Sequence, residues 1–228
     1  MLPKAVLFDV GDTLLYFSKD SHRVSLESVG CLDALSLDAY KFGVEHAVRE
    51  WRESGGAPGL EDLSETWVGH YVTALRFAGF RGNLELTAQR IEESFLTDGW
   101  EVFPEVHSAL EQLRKRDVRL GVVSNWPKRL RDTLKAAGLD HYFELVVASG
   151  VVGFAKPHPE IFRIALSRLG LSPEAVLFVG DKIHLDIEGP AGVGMPSVLI
   201  DRQRRFPQRQ DRIETLDELL DYLPWPSV

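Results

Sequence analysis

Four times along this chain a short apolar run, the length of a buried strand, stops at or leads to a polar group. AVLF (Ala5–Phe8) ends at Asp9, RLGVV (Arg119–Val123) at Ser124 and Asn125, LVVA (Leu145–Ala148) leads on to Lys156, and VLFV (Val176–Val179) runs through Gly180 into Asp181. Segments with helical apolar spacing alternate with these runs, at about Glu105–Arg116, Lys128–Ala137 and Pro159–Leu169, with a short one near Asp186–Ala191. Gly138 and Gly170 follow two of them as residues suited to the left-handed turn beyond a helix, and Pro159 stands in the first turn of the third. A last strand, Ser197–Ile200, and an amphipathic closing helix, Ile213–Leu223, complete the series. Strands and helices alternating at these lengths predict an α/β fold, a doubly wound parallel sheet with helices on both faces. In such a sheet ligands bind beyond the carboxyl ends of the strands, so the polar groups that end the runs fall on the functional edge.

From Tyr16 to about Trp100 the rhythm is lost, and no clear strand run occurs. Leu32, Leu35 and Leu37 lead at helical spacing to Tyr40, Val44, Ala47, Val48 and Trp51, and Trp67, Tyr71, Ala74, Leu75 and Ala78 form a second series. ESGGAPG (Glu53–Gly59) breaks the two apart as a loop, and a third helix is expected from about Thr87 to Leu96. The expected organisation is therefore a core of residues 1–15 and 101–228 with an all-helical insertion, residues 16–100. At 228 residues the chain can bury a full core. Its formal net charge of -8 argues against a nucleic-acid surface. Its single cysteine, Cys31, allows no internal disulfide and no cysteine-built zinc site, and suits a reducing cytoplasm. The start MLPKAVLFDVGDT reaches an acidic residue after too few apolar positions for a signal peptide, and no apolar run approaches the roughly 20 residues of a membrane span. A cytoplasmic protein with neither a membrane nor a nucleic-acid partner is expected. RQRRFPQRQDR (Arg202–Arg212) reads as a solvated loop between the last strand and the last helix, in preference to a phosphate or partner site.

If the strands are parallel neighbours, Asp9, Asp181 and Asp186 meet on one edge, and three carboxylates together are unfavourable unless a cation or protons compensate them. Magnesium is the natural solution, because it takes hard oxygen ligands from one or two carboxylates and shares them with a phosphate. Lys156 adds a positive charge, Ser124 a hydroxyl, and the amides after Ser124 are expected to open a helix whose positive end favours an anion. Together these groups describe a phosphate held between a metal, a lysine and a helix start. Each has a plainer reading beside it: Ser124 as a helix cap, Lys156 as a surface lysine, Asp186 as a structural residue of a short helix. His184 stays outside the set, since magnesium seldom takes imidazole, and His158 is given no role. Trp126, Tyr16 and Phe17 are candidates for a pocket wall or for packing.

FDVGDTLL, VVSNW, AKPHPEIF and FVGDKIHLD, in that order, resemble the four motifs of the haloacid dehalogenase-like (HAD) hydrolases, a superfamily of mostly magnesium-dependent phosphatases. The resemblance covers residues 1–15 and 101–228, and the helical block falls where the family carries its cap domain, between the first and second motifs. It implies a HAD-like Rossmannoid core and a small phosphorylated substrate. It also implies that Asp9 is the nucleophile that forms an aspartyl-phosphate, and that Ser124 and Lys156, with Asn125 beside them, hold the phosphate. Magnesium would be held by Asp9, Asp181 and the backbone carbonyl of Gly11, with Asp186 a further ligand or the residue that orients one.

The pattern departs from the family at one position. Its phosphatases carry a second aspartate two residues after the nucleophile, where this chain has Gly11. That aspartate protonates the departing alcohol and then deprotonates the attacking water, a role worth about 10² to 10⁴ in rate. Asp12, displaced by one position, is expected to support the turn or to cap a helix beginning near Thr13; a shifted loop would instead make it the acid. Without a proton donor, sugar and alkyl phosphates should turn over slowly relative to aryl or acyl phosphates. Two rival readings stand beside the phosphatase: a metal-independent 2-haloacid dehalogenase, a class that also lacks the second aspartate, and a catalytically weak protein that uses the fold for binding or regulation. Substrate specificity is expected from the insertion, where Arg23, Arg49, Arg52, His70, Tyr71 and Arg76 are all candidates.

Overall fold

The computed structural model describes residues 3–17, 20–53 and 64–222. In chain order its elements are β1 (Ala5–Phe8), β2 (Leu15–Phe17), α1 (Ser21–Ser28), α2 (Leu37–Glu53), α3 (Ser64–Phe77), α4 (Leu84–Thr97), β3 (Trp100–Val102), α5 (Val106–Lys115), β4 (Arg119–Ser124) and α6 (Leu130–Ala136). They continue with β5 (Leu145–Ala148), α7 (Ser149–Val152), α8 (Pro159–Leu169), β6 (Val176–Gly180), a wide helical turn (Ile183–Glu188) running into α9 (Gly189–Ala191), β7 (Ser197–Ile200), β8 (Arg212–Ile213) and α10 (Leu216–Tyr222). The chain divides into two compact units, one of Met1–Tyr16, Val102–Ser124 and Gly138–Val228, the other of Phe17–Glu101 and Asn125–Ala137.

The first unit is the doubly wound parallel sheet, six strands in the order β5-β4-β1-β6-β7-β8. The chain starts in the middle, builds outward through β4 and β5, then crosses β1 to add β6, β7 and β8 on the other side. The order therefore reverses at β1, where this class of sheet forms its ligand crevice. All four residues of β1 are fully buried, because both faces of the strand are covered. Ala5 and Leu7 share a core cluster with Ile161, Phe162, Ala165, Leu166 and Leu169 of α8, while Val6 and Phe8 point to the opposite face. Such continuous apolar runs belong to strands sandwiched between helices. Helix α8 ends at Gly170 in the left-handed conformation, φ 64°, and Pro159 opens it.

The second unit is helical except where Phe17 of β2 and Trp100 and Glu101 of β3 enter it, so the expected all-helical insertion carries paired strand residues at both its ends. Leu26, Tyr40, Val44, Tyr71, Leu75, Ile91 and Phe95 form its core, with the Tyr71 and Phe95 rings stacked at 5.2 Å. Gly43 lets α2 and α3 approach closely: a Cβ there would lie 2.7 Å from the Ala74 Cα. Among the described residues no helix is long and apolar enough to cross a membrane.

Several boundaries differ from those expected, each for a local reason. No helix begins near Thr13. The Val10 carbonyl accepts hydrogen bonds from the amides of Thr13, Leu14 and Leu15, Asp12 takes φ 57°, and the chain reverses into β2, which pairs with β3. Helix α6 opens at Leu130, six residues past Ser124, so no helix start follows Ser124 directly. The segment Arg202–Arg212 ends in a sixth strand, β8, which claims Ile213 and shortens the closing helix to a start at Leu216. The short helix expected at Asp186 starts earlier, at Ile183, so Asp186 stands inside a wide turn. Residues 54–59 of the expected ESGGAPG loop, the side chains of Trp51 and Arg52, and Leu223 lie outside the described residues.

Candidate active site

Parallel register brings the strand ends to one level. Phe8 lies opposite Val122 on one side and Val179 on the other, so β1, β4 and β6 deliver Asp9, Ser124 and Asp181 at the same edge. The Asp9 amide is still held by the Val179 carbonyl at 2.9 Å, which fixes the carboxylate's base to the sheet. The Ser124 hydroxyl donates to Asp9 Oδ1 at 2.7 Å. Lys156 Nζ donates to the same oxygen at 2.7 Å and to Asp186 Oδ1 at 2.6 Å. The lysine side chain is 1% exposed, and a buried ammonium of this kind needs the two carboxylates that flank it. Asp186, buried in the wide turn, also accepts from the Lys182 amide at 3.0 Å. Its side chain occupies the space over Gly180, where a Cβ would lie 2.4 Å from the Asp186 Cγ. One oxygen each of Asp9, Asp181 and Asp186 lies within 4.8 Å of the others.

The electrostatics divide these carboxylates. Burial alone would push Asp9 up, but the charges of Lys156 and Lys182 and the hydrogen bonds from Lys156 and Ser124 outweigh it, and its pKa falls below the ordinary value. Burial raises Asp186, and the Asp9 charge adds to that, against the pull of Lys156. Asp181 is pushed up to about 7, by burial first and then by the Asp9 charge. It is buried, its Oδ1 has no hydrogen-bond partner among the described residues, and the cation near its other oxygen, Arg205 Nη2, stands 3.9 Å away. An ionised Asp181 therefore lacks a counter-charge in contact with it, which is the situation a divalent ion would relieve.

Other candidates fall elsewhere. Asp12 is exposed on the turn; its amide donates to the Leu15 carbonyl at 2.7 Å, and its charge contributes to the upward push on Asp181. Asn125, next to Ser124 in the chain, belongs to the helical unit. His184 is exposed and pairs with Glu188 at 2.9 Å. His158 turns out to cap α8, its Nδ1 accepting from the Glu160 amide at 3.2 Å. Tyr71 is buried in the helical core, and His70 is buried against the Trp67 ring at 5.3 Å, which suits packing. Tyr16 packs on Phe103, Phe17 on Phe95, and Trp126 on Trp100, while Arg23, Arg49 and Arg76 are exposed.

Two participants escaped the sequence reading. Lys182, exposed beside the site, is held in its charged form above the ordinary lysine value, because the attraction of Asp9, Asp181 and Asp186 outweighs its partial desolvation. Charge counting would have found it, since three carboxylates against Lys156 alone leave a deficit that the next residue after Asp181 reduces. Arg202 is half-buried and bonded on several sides, where a solvated loop was expected. No pattern in an arginine-rich loop marks which guanidinium turns inward.

Comparison with known proteins agrees with the geometry. The model of the haloacid dehalogenase-like hydrolase family matches residues 3–194. A phosphoserine phosphatase of Thermus thermophilus is 33% identical over 89% of this chain and 90% of its own length. A crystal structure of a HAD phosphatase from Thermococcus onnurineus superposes with a TM-score of 0.68 at 28% identity, covering 99% of this chain and 100% of that one. A 2-haloacid dehalogenase from Pseudomonas syringae superposes with a TM-score of 0.69 at 25% identity over 98% of both chains. With five-sixths of its length inside the family match and its strand-end carboxylates gathered on one sheet edge, this chain is an enzyme of the haloacid dehalogenase-like hydrolases.

Proposed function

We propose that the chain is a magnesium-dependent phosphatase that acts on a small phosphorylated metabolite through a phosphorylated Asp9. The observation that carries this reading is Asp181 Oδ1, without a hydrogen-bond partner among the described residues, in a buried set of three carboxylates, two of which are already bridged by Lys156. The donor set is all oxygen, as magnesium prefers. Asp9, Asp181 and the Gly11 carbonyl would hold the ion, with Asp186 as a further ligand or as the group that fixes Lys156. When bound, the ion would supply charge that lets a dianionic phosphate approach a carboxylate. Asp9 attacks phosphorus and the P–O bond to the alcohol breaks; Ser124 and Lys156 turn their hydrogen bonds from Asp9 Oδ1 to the phosphoryl oxygens. Water then attacks the acyl phosphate, which releases inorganic phosphate and restores the carboxylate. Residues 16–100 are assigned as the cap domain, a segment whose role would be to keep water out during the first step. A cytoplasmic setting is in keeping with the single, buried Cys31.

Gly11 supplies no proton to the leaving alkoxide, so turnover favours leaving groups that are already weak bases, and Asp12, the next residue along the turn, is the carboxylate that a shifted loop would bring to the task. Gly11 is also the observation that favours 2-haloacid hydrolysis as a second reading; the partnerless Asp181 oxygen weighs against it, because that chemistry needs no metal site. Hydrolysis of p-nitrophenyl phosphate with magnesium and its loss in EDTA are the expected results, together with no turnover by Asp9→Asn. Halide release from a 2-haloacid in EDTA would overturn the proposal.

A further inference from the structure

We infer that Arg202 is a positioning residue that braces the turn following Asp9 and, through it, the Gly11 carbonyl; the inference rests on the metal reading above. Arg202 begins the loop after β7. Its guanidinium lies over the Phe103 ring, 3.5 Å from the centroid. One arm of the fork donates to Glu105 Oε1 at 2.6 Å and the other to the Thr13 carbonyl at 2.7 Å. The Arg202 and Glu105 side chains are each 13% exposed, and Glu105 Oε1 also accepts from the Leu216 amide at 3.4 Å. The loop that carries the arginine is itself pinned, because the buried Asp201 carboxylate accepts from the amides of Arg205 and Phe206, both at 2.8 Å.

The turn has main-chain bonds on its inner side. Val10 O accepts from three successive amides, and Asp12 N reaches Leu15 O. Thr13 O receives its bond from outside, and Arg202 is the donor. The Gly11 carbonyl shares its peptide plane with the Asp12 amide, whose bond to Leu15 O sets its direction, so that direction depends on how firmly the turn from Thr13 to Leu15 is tied. A planar fork can stack, pair with a carboxylate and donate to a carbonyl at once; an ammonium on a flexible stem is a single point charge that cannot reproduce the set. Groups that orient a ligand from behind typically cost about 10–100-fold in metal affinity or activity when removed.

The test uses Mn²⁺ as the probe, bound by the full-length wild type and by Arg202→Lys, Arg202→Met and Glu105→Gln, and followed by electron paramagnetic resonance at a temperature where circular dichroism shows each to be folded. The Mn²⁺ dissociation constant should rise about 10–100-fold in Arg202→Met, with most of that rise retained in Arg202→Lys and a smaller one in Glu105→Gln. At saturating metal the KM for p-nitrophenyl phosphate should stay within about twofold while kcat falls. Arg204→Gln, on the same loop but exposed and paired with Glu214, should change neither. A lower Tm with Mn²⁺ affinity within about twofold of wild type would overturn the inference, as would full recovery in Arg202→Lys. Wild type that binds Mn²⁺ beside unaffected variants removes this inference alone, whereas wild type that binds none removes the metal reading and the inference with it.

Discussion

Gly180→Ala should unmake the candidate site from below. The added Cβ would lie 2.4 Å from the Asp186 Cγ, 2.5 Å from its Cβ and 2.6 Å from its Oδ2, and ordinary contact begins at 3.4 Å, so the carboxylate must retreat by about 1 Å. It has nowhere to go, being fully buried. A retreat of that size carries it out of hydrogen-bond range of Lys156 Nζ, now at 2.6 Å, and of the Lys182 amide, now at 3.0 Å. Hydrogen bonds to charged groups are each worth about 1.5–3 kcal/mol, so the loss is about 3–6 kcal/mol. The better strand propensity of alanine returns less than about 1 kcal/mol. Against a total stability of about 5–15 kcal/mol the change is large. Urea unfolding followed by circular dichroism in EDTA reads it directly, and Lys156, freed from one of its two carboxylates, should also lose its grip on Asp9 and with it turnover. Gly69→Ala is the control, since an added Cβ on that helix meets nothing within 4 Å and should stabilise by about 0.5–1 kcal/mol. A Gly180→Ala unfolding free energy within about 1 kcal/mol of wild type would refute the reasoning, because Asp186 would then not be held against the glycine.

Gly11→Asp should raise turnover of alkyl phosphates by about 10-fold or more while changing aryl phosphates little, since the added carboxyl supplies the proton that a poor leaving group lacks; a plot of rate against leaving-group pKa unchanged in slope would count against it. In the metal-free protein, Asp181 keeps its proton up to about pH 7 when folded, whereas unfolded it ionises near 3.8. The folded state therefore binds more protons between those values, and this contribution to stability is complete below pH 4 and declines as pH rises through 7. Urea midpoints in EDTA should show that decline, and Asp181→Asn should abolish it; a constant difference between the two proteins across pH would contradict the assignment. Magnesium competes with the same proton, so its stabilising effect should be larger at pH 8 than at pH 6, measured as a shift in Tm.

The strands β1, β4, β5, β6 and β7 were readable because a strand covered on both faces leaves no room for alternation, and a continuous apolar run that ends at a polar residue is distinctive at that length, whereas the three-residue β2 and β3 were not. Helix α8 was readable from proline and glycine at its ends. The turn after β1 was not, since Val10 O bonds three amides that a helix would have used just as well, and only Asp12 at φ 57° turns the chain back. Strand β8 escaped because two residues, Arg212 and Ile213, carry no period. His70 and Tyr71 look like specificity residues in a string, yet both are buried, and no spacing rule separates a ring that stacks on Phe95 from one that faces a ligand.

By itself the sequence determined the class of fold, the family, and which residues end the apolar strands, because those depend on run length and motif order, properties local to a few residues. Only the tertiary structure decided the distances that matter: one oxygen of Asp9 shared by Ser124 and Lys156, Asp186 seated on Gly180, Asp181 Oδ1 with no hydrogen-bond partner among the described residues, and Arg202 turned inward to the Thr13 carbonyl. Each joins elements brought together by parallel register or by a loop folded back on the sheet, and the energy of a charge depends on which groups surround it in space rather than along the chain.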